Sequence, residues 1–384
     1  MSDYQIQQYT PDLWKQVCKI QSDIWMSSTK LAGAYLDWKY VRNPYIQEPL
    51  IYVASYNDQV VAMRAMYGTC WEAGEDKQNL ILPLASDAGI SPEHRDRGIF
   101  QELSNYAADD LRTRGYSHIL NFSPTPSNYV VSIMTMGWKR IGSKETLSRY
   151  SNIKPPQQSS GDSAGETASR SSTGENLKRR VVNVGVSTGR KIKKALGVHA
   201  FTEMDQNIRK QGNHLSLSKE PRPQQMQNLI QQLGSDGRLR QIRDQTYFAW
   251  RFGNPLYTYR FLFWGDDEID GYLILQNVVG RRQVNIIDWE GRNSQIRAGL
   301  LDAAIRLGQF KTMTIWGATL SDSTIETLQK IGFSNENSGR DSFNRHGQFM
   351  LKQLASEPSD GTILGRNPLD KNSWDLRTVY SEEA

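Results

Sequence analysis

The residues best suited to chemistry lie between Ile90 and Gln101, where an apolar segment gives way to a basic loop that contains a glycine. Backbone N–H groups at the start of a helix, together with the positive end of the helix dipole, attract anions. Gly98 allows a ligand to approach the backbone closely, and the guanidinium groups of Arg95 and Arg97 match the geometry of phosphate oxygens. This stretch therefore predicts an anion site that is suited to phosphate.

A strand must precede this loop, and a helix must follow it. The apolar run that begins at Leu80 predicts the strand. Apolar residues at helical spacing predict the helix, namely Ile99, Phe100, Leu103, Tyr106, Ala107 and Leu111. A second strand is predicted over residues 117–122, followed by a turn and a short helix that Asn128 opens and Gly137-Trp138 closes.

The run Arg95-Asp96-Arg97-Gly98-Ile99-Phe100 resembles the Arg/Gln-x-x-Gly-x-Gly/Ala signature of the GNAT N-acetyltransferases. Ile90-Ser91-Pro92 is similar to the hydrophobic-x-Pro lead-in of that family. The order of helix, strand, Asn-started helix and closing Gly-aromatic pair is similar too, although Phe100 stands where Gly or Ala is usual and Trp138 where Phe is usual. The resemblance implies an acyl-CoA-binding GNAT fold for residues 1–150.

The resemblance also implies where acetyl-CoA, or another acyl-CoA, would bind as co-substrate. Its pyrophosphate would lie over the loop and helix start, and its pantetheine arm would run along the end of the preceding strand. The implied cofactor-binding residues are Ala88, Gly89, Ile90, Arg95, Asp96, Arg97, Gly98, Ile99, Phe100, Gln101 and Asn128. For Asn128, capping of the short helix is an equally good explanation.

The implied reaction is the attack of a deprotonated amine on the thioester, with a backbone N–H near Ile90 stabilising the oxyanion and two proton transfers completing the step. We expect Asp87 to be the base, with Glu72 as the second candidate; the alternative for Asp87 is an ion-paired or solvated strand carboxylate. The family's general acid is a Tyr at the position that Ile133 holds in this sequence. Tyr129 lies one turn earlier and is taken as the candidate; Ser132 and Thr135 are nearby, and none of the three is a clean substitute.

The second half of the chain repeats the first. Tyr247–Tyr257 matches Tyr35–Tyr45 at Tyr, Trp, a basic residue, an aromatic residue and Asn-Pro, and similar strands and helices follow each copy. We interpret the tryptophans of this motif as packing residues. Counting back from the closing glycines aligns the predicted anion loop with Glu290-Gly291-Arg292-Asn293, which has lost the first arginine and the last glycine. Only the first copy is therefore expected to bind the cofactor.

The predicted fold is α/β with two tandem GNAT-like domains, each a mixed, mostly antiparallel central sheet flanked by helices. The predicted units are a cofactor-binding domain (1–150), a low-complexity basic linker (151–205), a second, degenerate domain (206–355) and a polar C-terminal tail (356–384). The linker is rich in Ser and Gly and poor in apolar residues, which is typical of disorder.

Composition excludes several classes of function. The formal net charge is +5, but the basic excess lies in residues 151–200, so neither predicted domain has the basic surface expected of a nucleic-acid-binding protein. The chain has two cysteines and five scattered histidines, which predicts neither a disulfide framework nor a metal site. It has no evident signal peptide or membrane-spanning run, so we expect a cytoplasmic protein; the basic linker could still contact an anionic membrane surface.

The predicted function is therefore acyl-CoA-dependent N-acyl transfer, with acetyl as the expected group and an amine of a small molecule or sugar as the acceptor. One alternative is a Fem-type aminoacyl transferase, which also has a double GNAT fold, although the lack of a basic surplus argues against a tRNA-borne donor. The other is a non-catalytic CoA-binding or scaffold protein, which the departures at Phe100 and Ile133 favour. The sequence does not specify the acceptor or the oligomeric state.

Overall fold

The computed structural model describes most of the chain outside the predicted linker. The described residues are 4–25, 28–74, 78–151, 201, 204–205, 214–277, 283–308, 310–335, 347–354 and 361–381. The predicted linker (151–205) lies outside the described residues, apart from its first residue and three near its end, and so does its predicted contact with a membrane surface.

The first sheet has eight strands within the described residues, in the order β1-β2-β3-β4-β5-β15-β6, with β9 paired to β3. Its strands are Gln5–Gln8 (β1), Leu50–Tyr56 (β2), Gln59–Glu72 (β3), Leu80–Ile90 (β4), His118–Asn121 (β5), Lys139–Ser143 (β6), Arg240–Gln241 (β9) and Gln348–Gln353 (β15). Strands β4 and β5 are parallel, and the other pairs are antiparallel.

The second sheet has seven strands in the same described part of the chain, in the order β14-β7-β13-β12-β11-β10-β8. Its strands are Thr146–Tyr150 (β7), Leu215–Ser218 (β8), Thr258–Trp264 (β10), Gly271–Asn277 (β11), Gln283–Gly291 (β12), Thr312–Trp316 (β13) and Ser334–Asn335 (β14). Here β12 and β13 form the parallel pair. Helices flank both sheets, so the predicted α/β fold of two tandem domains with mixed, mostly antiparallel sheets is confirmed.

The α-helices follow the apolar periodicities of the sequence. They are Trp14–Trp25 (α1), Thr29–Leu36 (α2), Ile99–Thr113 (α3), Pro126–Thr135 (α4), Pro223–Leu233 (α5), Gln245–Arg251 (α6), Ser294–Leu307 (α7) and Asp322–Lys330 (α8). Helix α3 buries Ile99, Leu103, Ala107 and Leu111 against the first sheet, which accounts for its predicted apolar face. A π-helical turn, Asp37–Val41, continues from α2.

The two halves of the chain exchange strands between the sheets, and the short β9 also joins the first sheet from the second half. Strand β15, from the end of the second half of the chain, lies between β5 and β6 of the first sheet. Strand β7 follows β6 in sequence but lies in the second sheet between β13 and β14. Each sheet is thus completed by a strand from the other half of the chain. The domain boundaries stay a prediction, and the boundary at residue 150 does not coincide with the division between the sheets.

The repeated aromatic motif forms a contact between the two halves. The rings of Trp38 and Trp250 stack with their centroids 5.3 Å apart and their planes inclined by 15°. Each indole N–H donates a hydrogen bond to the backbone carbonyl of the other tryptophan, at 2.8 and 2.9 Å. The contact is reciprocal, as expected when two copies of one motif meet across an approximate two-fold axis.

The C-terminal segment is part of the folded core although its composition is polar. Trp374, Val379 and Tyr380 are almost completely buried. The indole of Trp374 packs edge-to-face on that of Trp71 in the first sheet, with centroids 5.1 Å apart. These side chains belong to one apolar cluster that also contains residues of the second sheet, such as Phe261. The two sheets and the C-terminal segment therefore share a core.

Candidate active site

A cavity of about 640 Å³ opens at the end of β4, where the sequence predicted the anion site. Four segments of the first half line it: the end of β4 with its following loop, the start of α3, the start of α4, and α1. The lining residues are Ile20, Asp23, Ile24, Ala88, Gly89, Ile90, Ser91, Arg95, Asp96, Gly98, Ile99, Phe100, Gln101, Thr125, Ser127, Asn128 and Val131. The cavity thus brings together every predicted cofactor-binding residue except Arg97.

Divergence of two parallel strands creates the cavity. Strand β4 pairs with β5 only at Leu84 and Leu120, and the rest of β4 runs on to Ile90 without β5 beside it. On its other side β4 stays paired with β3 up to the end, where Ile90 lies opposite Ala62. Residues 88–90 line the cavity. An extended ligand could therefore lie along this edge and bond to backbone groups as a further strand would.

A bulge in β4 precedes this edge. Ser86 and Asp87 together lie opposite Ala65, so β4 has one residue more than β3 at this point. A bulge bends its strand and redirects the residues that follow. Arg64 holds the bulge from β3 by donating to the backbone carbonyl of Ser86 at 2.9 Å. The bulge therefore aims the end of β4 into the cavity.

Asp87 anchors the bulge to the helices behind the sheet. Its carboxylate lies 3.1 Å from the ammonium of Lys39 and accepts hydrogen bonds from Tyr40 and, at 2.9 Å, from Gln21. The side chains of Asp87 and Lys39 are both 1% exposed. Burial alone would raise the pKa of Asp87, but Lys39, Gln21 and Tyr40 hold that pKa below its ordinary value. This is the geometry of the ion-paired strand carboxylate, and Asp87 does not line the cavity.

The loop before α3 has the backbone conformation of an anion site. Gly98 has a φ of +78°, in the left-handed region, and a β-carbon built there would meet no atom within 4 Å. Asp96 also has a positive φ, of 60°. Such turns direct successive N–H groups towards one point, which the first N–H groups of the helix extend. Position 98 therefore favours glycine because of its left-handed backbone conformation, and the space beside Gly98 is open.

The two arginines of the loop differ in position. Arg95 lines the cavity, and its guanidinium donates to the backbone carbonyl of Ile90 at 3.2 Å. Arg97 is directed to Tyr4, whose hydroxyl lies 3.3 Å from its guanidinium and 2.9 Å from His94 Nδ1. Arg95 is therefore the arginine of this loop that lines the cavity, whereas Arg97 lies beside the residue that precedes β1.

Phe100 and Asn128 complete the wall. Phe100 packs against the core of the first sheet, and the guanidinium of Arg64 lies 5.7 Å from its ring centre. Helix α4 begins at Pro126, two residues before Asn128, and Thr125 is its cap, accepting from the Asn128 N–H at 3.3 Å. Because Thr125 already caps the helix, the Asn128 side chain is not needed for that purpose. Capping therefore does not explain the presence of Asn128 in the cavity wall.

The other two predicted catalytic residues lie away from the cavity. Glu72 is at the far end of β3, next to Trp71, which pairs with the first residue of β4. Nearly the whole length of β4 separates it from Ile90, roughly 30 Å at 3.3 Å per residue, and its carboxylate is bonded to Arg240 at 2.7 Å. Tyr129 is 7% exposed and packs in the core of the first sheet, as does Ile133.

Sequence reasoning missed the wall formed by α1. A β-carbon on Gly89 would lie 2.8 Å from Ile24 Cδ1 and 3.0 Å from Ile20, so the helix rests directly on the end of β4. Asp23 lies on the same helical face, three residues after Ile20, and lines the cavity. The periodicity of α1 could have indicated Ile20 and Ile24 as inward-facing. Nothing in the sequence indicated that Asp23 would face a ligand site.

The equivalent loop of the second sheet has a different helix start. Asn293 caps α7, its side-chain oxygen accepting from the Ile296 N–H at 2.9 Å. One of the N–H groups that would bind an anion is therefore satisfied within the helix. Glu290, which the sequence aligned with the loop residue Arg95, lies instead within β12 and is paired with Arg243 at 2.8 Å. The loop before α7 is shorter than the one before α3, so counting back from the closing glycines misaligned the two.

The described residues contain no cluster of His, Cys, Asp and Glu side chains that could hold a metal ion. Among the same residues, no helix is long and apolar enough to cross a membrane.

Comparison with known proteins gives a family match for the first half of the chain. Residues 5–138 match the model of the acetyltransferase (GNAT) domain. A search of curated proteins gives no match.

Two solved structures show the same fold over nearly the whole chain. One is the GCN5-related N-acetyltransferase from Anabaena variabilis, with 14% identity and a TM-score of 0.55, covering 92% of this chain and 73% of that one. The other is the tandem GNAT protein from the clavulanic acid biosynthesis pathway, with 11% identity and a TM-score of 0.50, covering 93% of this chain and 100% of that one. The predicted tandem arrangement is confirmed.

Proposed function

We propose that this chain, whose residues 5–138 match the model of the acetyltransferase (GNAT) domain, transfers an acyl group from acyl-CoA to an amine. We take acetyl as the acyl group and a small molecule or sugar as the bearer of the amine. The observation that carries the proposal is the single cavity that joins the free edge of β4 to the start of α3.

The chain supplies a distinct environment for each part of an acyl-CoA. The Gly98 loop and the start of α3 present N–H groups, a helix dipole and the charge of Arg95 to the pyrophosphate. The backbone of residues 88–90 runs beside the cavity and is suited to the extended pantetheine arm. The amine attacks the thioester carbon, the C–S bond breaks, the amine loses a proton and the thiolate gains one. A backbone N–H near Ile90 would stabilise the oxyanion.

The sequence favours Asp87 as the base; we propose instead that Asp87 has a structural role and that another carboxylate faces the acceptor. Asp87 already accepts bonds from Lys39, Tyr40 and Gln21, and its lowered pKa makes it a weak base. We therefore assign Asp87 to positioning the bulge. Two carboxylates line the cavity, and Asp96 lies in the proposed phosphate loop. Asp23, on α1, is the carboxylate that remains for an acceptor amine.

A non-catalytic CoA-binding protein is the second candidate. The observation that favours it is the packing of Ile133 and Tyr129 in the core, since neither supplies a proton donor to the cavity wall. The two candidates share the cofactor site and differ in the second reactant.

Titration of acetyl-CoA into the purified protein, followed by calorimetry, tests the shared site. We expect one site per chain and a loss of affinity of at least about tenfold in Gly98→Asp, because the new carboxylate faces the pyrophosphate. Gly115→Asp is the matched control. Gly115 lies at the other end of α3, has a φ of +85°, and like Gly98 would place a β-carbon in open space.

Equal losses in the two variants would contradict a phosphate site at Gly98, and the absence of binding by the wild-type protein would overturn the proposed function. If acetyl-CoA binds, a screen of primary amines for release of free thiol separates the candidates. Turnover with any amine supports transfer. Binding without turnover across the screen supports the non-catalytic protein.

A further inference from the structure

The second sheet has a counterpart of the cofactor groove, and that counterpart is filled. Strand β12 precedes α7 as β4 precedes α3, and each is parallel to the next strand of its sheet. Strand β12 pairs with β13 over residues 283–285 and then continues to Gly291. In the first sheet the corresponding divergence leaves the 640 Å³ cavity. Here the space that remains is about 30 Å³, roughly the volume of one water molecule.

The C-terminal segment of the chain, residues 374–381, occupies the groove between β12 and β13. Leu376, Arg377 and Thr378 border the remaining space together with residues 286–289 of β12 and the end of β13. The Thr319 hydroxyl donates to the Leu376 carbonyl and accepts from the Leu376 N–H. The segment is therefore held at the point where the two strands separate.

Charge fits the segment and disfavours a phosphate-bearing ligand. The Arg377 guanidinium lies 2.8 Å from Asp288 and 2.8 Å from Glu290, and Arg243 pairs with the same two carboxylates. Burial alone would raise the pKa of Asp288, but Arg243 and Arg377 hold that pKa below its ordinary value. Two acids thus line the end of β12, where the first sheet presents Gly89 and Ile90 and the nearby Arg95. An arginine-bearing peptide is the complementary occupant.

Further bonds hold the backbone of the segment on both sides of Arg377. Leu239 accepts from the Asp375 N–H at 2.9 Å and donates to the Ser373 carbonyl at 2.7 Å. Tyr247 and Arg251, in the second copy of the aromatic motif, donate to the Val379 carbonyl at 2.9 and 2.8 Å. In these bonds the segment contributes main-chain atoms, namely the Asp375 N–H and the Val379 carbonyl. Such bonds are typical of the recognition of an extended peptide.

We propose that the second domain is a receptor for an extended, arginine-bearing peptide and that residues 374–381 of this chain are its resident ligand. The segment takes the place that acyl-CoA holds in the first domain, and this comparison alone rests on the proposed function. Two consequences follow. The second domain does not bind acyl-CoA while the segment is in place, and the groove discriminates its peptide by the charge at position 377.

Hydrogen–deuterium exchange on the full chain tests the proposal. In Arg377→Glu, the new carboxylate replaces the guanidinium that pairs with Asp288, Glu290 and Asp375. We therefore expect exchange in residues 374–381 and 286–290 to become at least about tenfold faster through local opening. A synthetic peptide of residues 370–381 should restore protection of 286–290, and the same peptide with Arg377→Glu should not. Arg366→Glu is the control, because Arg366 is an exposed arginine that precedes the segment.

Unchanged protection in Arg377→Glu, or failure of the wild-type peptide to restore it, would overturn the proposal. Arg377→Met removes the charge with less repulsion and serves if the glutamate variant does not fold. In the wild-type protein, saturating acetyl-CoA should slow exchange in residues 88–101 and leave 286–290 unchanged. Slower exchange in residues 286–290 on addition of acetyl-CoA would contradict the proposal that the second domain is a peptide receptor. If acetyl-CoA slows exchange nowhere, the proposed function is contradicted, and the experiment with the synthetic peptide still tests the receptor.

Discussion

At the scale of single residues, the acids of the first half differ according to what surrounds them. Asp87 is buried, and its hydrogen-bonding partners include Lys39, Tyr40 and Gln21. Asp23 is exposed and lines the cavity. A buried ion pair is costly to break, because the remaining charge is left without compensation. We therefore expect Asp87 to stabilise the fold and Asp23 to contribute to binding of the acceptor amine. The two effects can be measured separately.

For Asp87→Asn we expect the free energy of unfolding to fall by roughly 3–5 kcal/mol, because Lys39 is left buried without its carboxylate. The folded-state pKa of Asp87 lies below its ordinary value, so the ionised carboxylate stabilises the fold above the unfolded value of about 3.9. That stabilisation is lost as the pH falls through the folded-state pKa. Urea unfolding between pH 3 and 7 should therefore show a steeper acid loss in the wild-type protein than in Asp87→Asn.

The control for this series is Asp58→Asn. Asp58 lies in an exposed turn with a φ of 58°, a conformation that Asn adopts easily. Its unfolding curve should follow the wild type at every pH. An Asp87→Asn protein of wild-type stability would contradict the anchoring role and return Asp87 to consideration as a base.

For Asp23→Asn we expect the KM for the acceptor amine to rise several-fold, while the affinity for acetyl-CoA stays within about twofold, because the carboxylate attracts the ammonium form of the acceptor. Steady-state kinetics at saturating acetyl-CoA measure the first quantity, and calorimetry measures the second. Asp12→Asn, an exposed acid that precedes the same helix, is the control. Equal KM values in the two variants would show that Asp23 does not face the acceptor.

At the scale of elements, the site depends on how closely α1 approaches β4. The helix packs Ile20 and Ile24 onto the backbone at Gly89, and Gln21 bonds to Asp87 two residues earlier. The bulge and the helix therefore fix the same few residues of β4 from two directions. The free edge that borders the cavity depends on both contacts.

Gly89→Ala tests this packing. Its new methyl group would lie within 3.0 Å of Ile20 and Ile24, so these side chains or α1 itself must shift. We expect a loss of about 1–3 kcal/mol in the free energy of unfolding, together with weaker acetyl-CoA binding. Gly33→Ala is the matched control, because the nearest atom there is Cys18 Sγ at an ordinary 3.5 Å and the site is within α2. That variant should gain about 0.5–1 kcal/mol. Thermal unfolding measures the change in stability of both variants, and calorimetry measures their affinity for acetyl-CoA.

At the scale of the whole molecule, the halves of the chain cannot be separated without opening both sheets. Removing β15 would leave β5 and β6 without the strand between them, and removing β7 would do the same to β13 and β14. The stacked Trp38 and Trp250 and the buried Trp374 add apolar contacts between the halves. Folding of either half therefore depends on the other.

Cleavage of the chain between the halves should leave one particle. We expect a protein with a protease site inserted between residues 160 and 170 to elute at its intact size after complete cleavage, because each fragment holds a strand in the other's sheet. Size-exclusion chromatography before and after addition of about 6 M urea measures this, since denaturant should separate the fragments. Elution as two smaller species under native conditions would show that the exchanged strands do not hold the halves together.

Local signals in the sequence predicted the fold class, the tandem repeat and the position of the Gly98 loop. Helical periodicity marks α3, Gly98 marks the left-handed turn, and the repeated Tyr-x-x-Trp motif marks two copies of one unit. The cavity confirms that the predicted loop and strand end lie together. The roles of individual residues in binding and catalysis stay predictions.

Contacts between distant parts of the chain set which acids face the cavity, which half of the chain completes each sheet, and where the C-terminal segment lies. Asp87 and Asp23 are both carboxylates in regular elements, and their difference arises from neighbours distant in sequence, such as Lys39. The apolar run Phe349-Met350-Leu351 of β15 predicts a buried strand but does not specify which sheet the strand joins. Trp374 sits in a polar segment whose partner, Trp71, is some 300 residues away in the sequence. Contacts between distant residues leave no local pattern, so periodicity and spacing could not predict them.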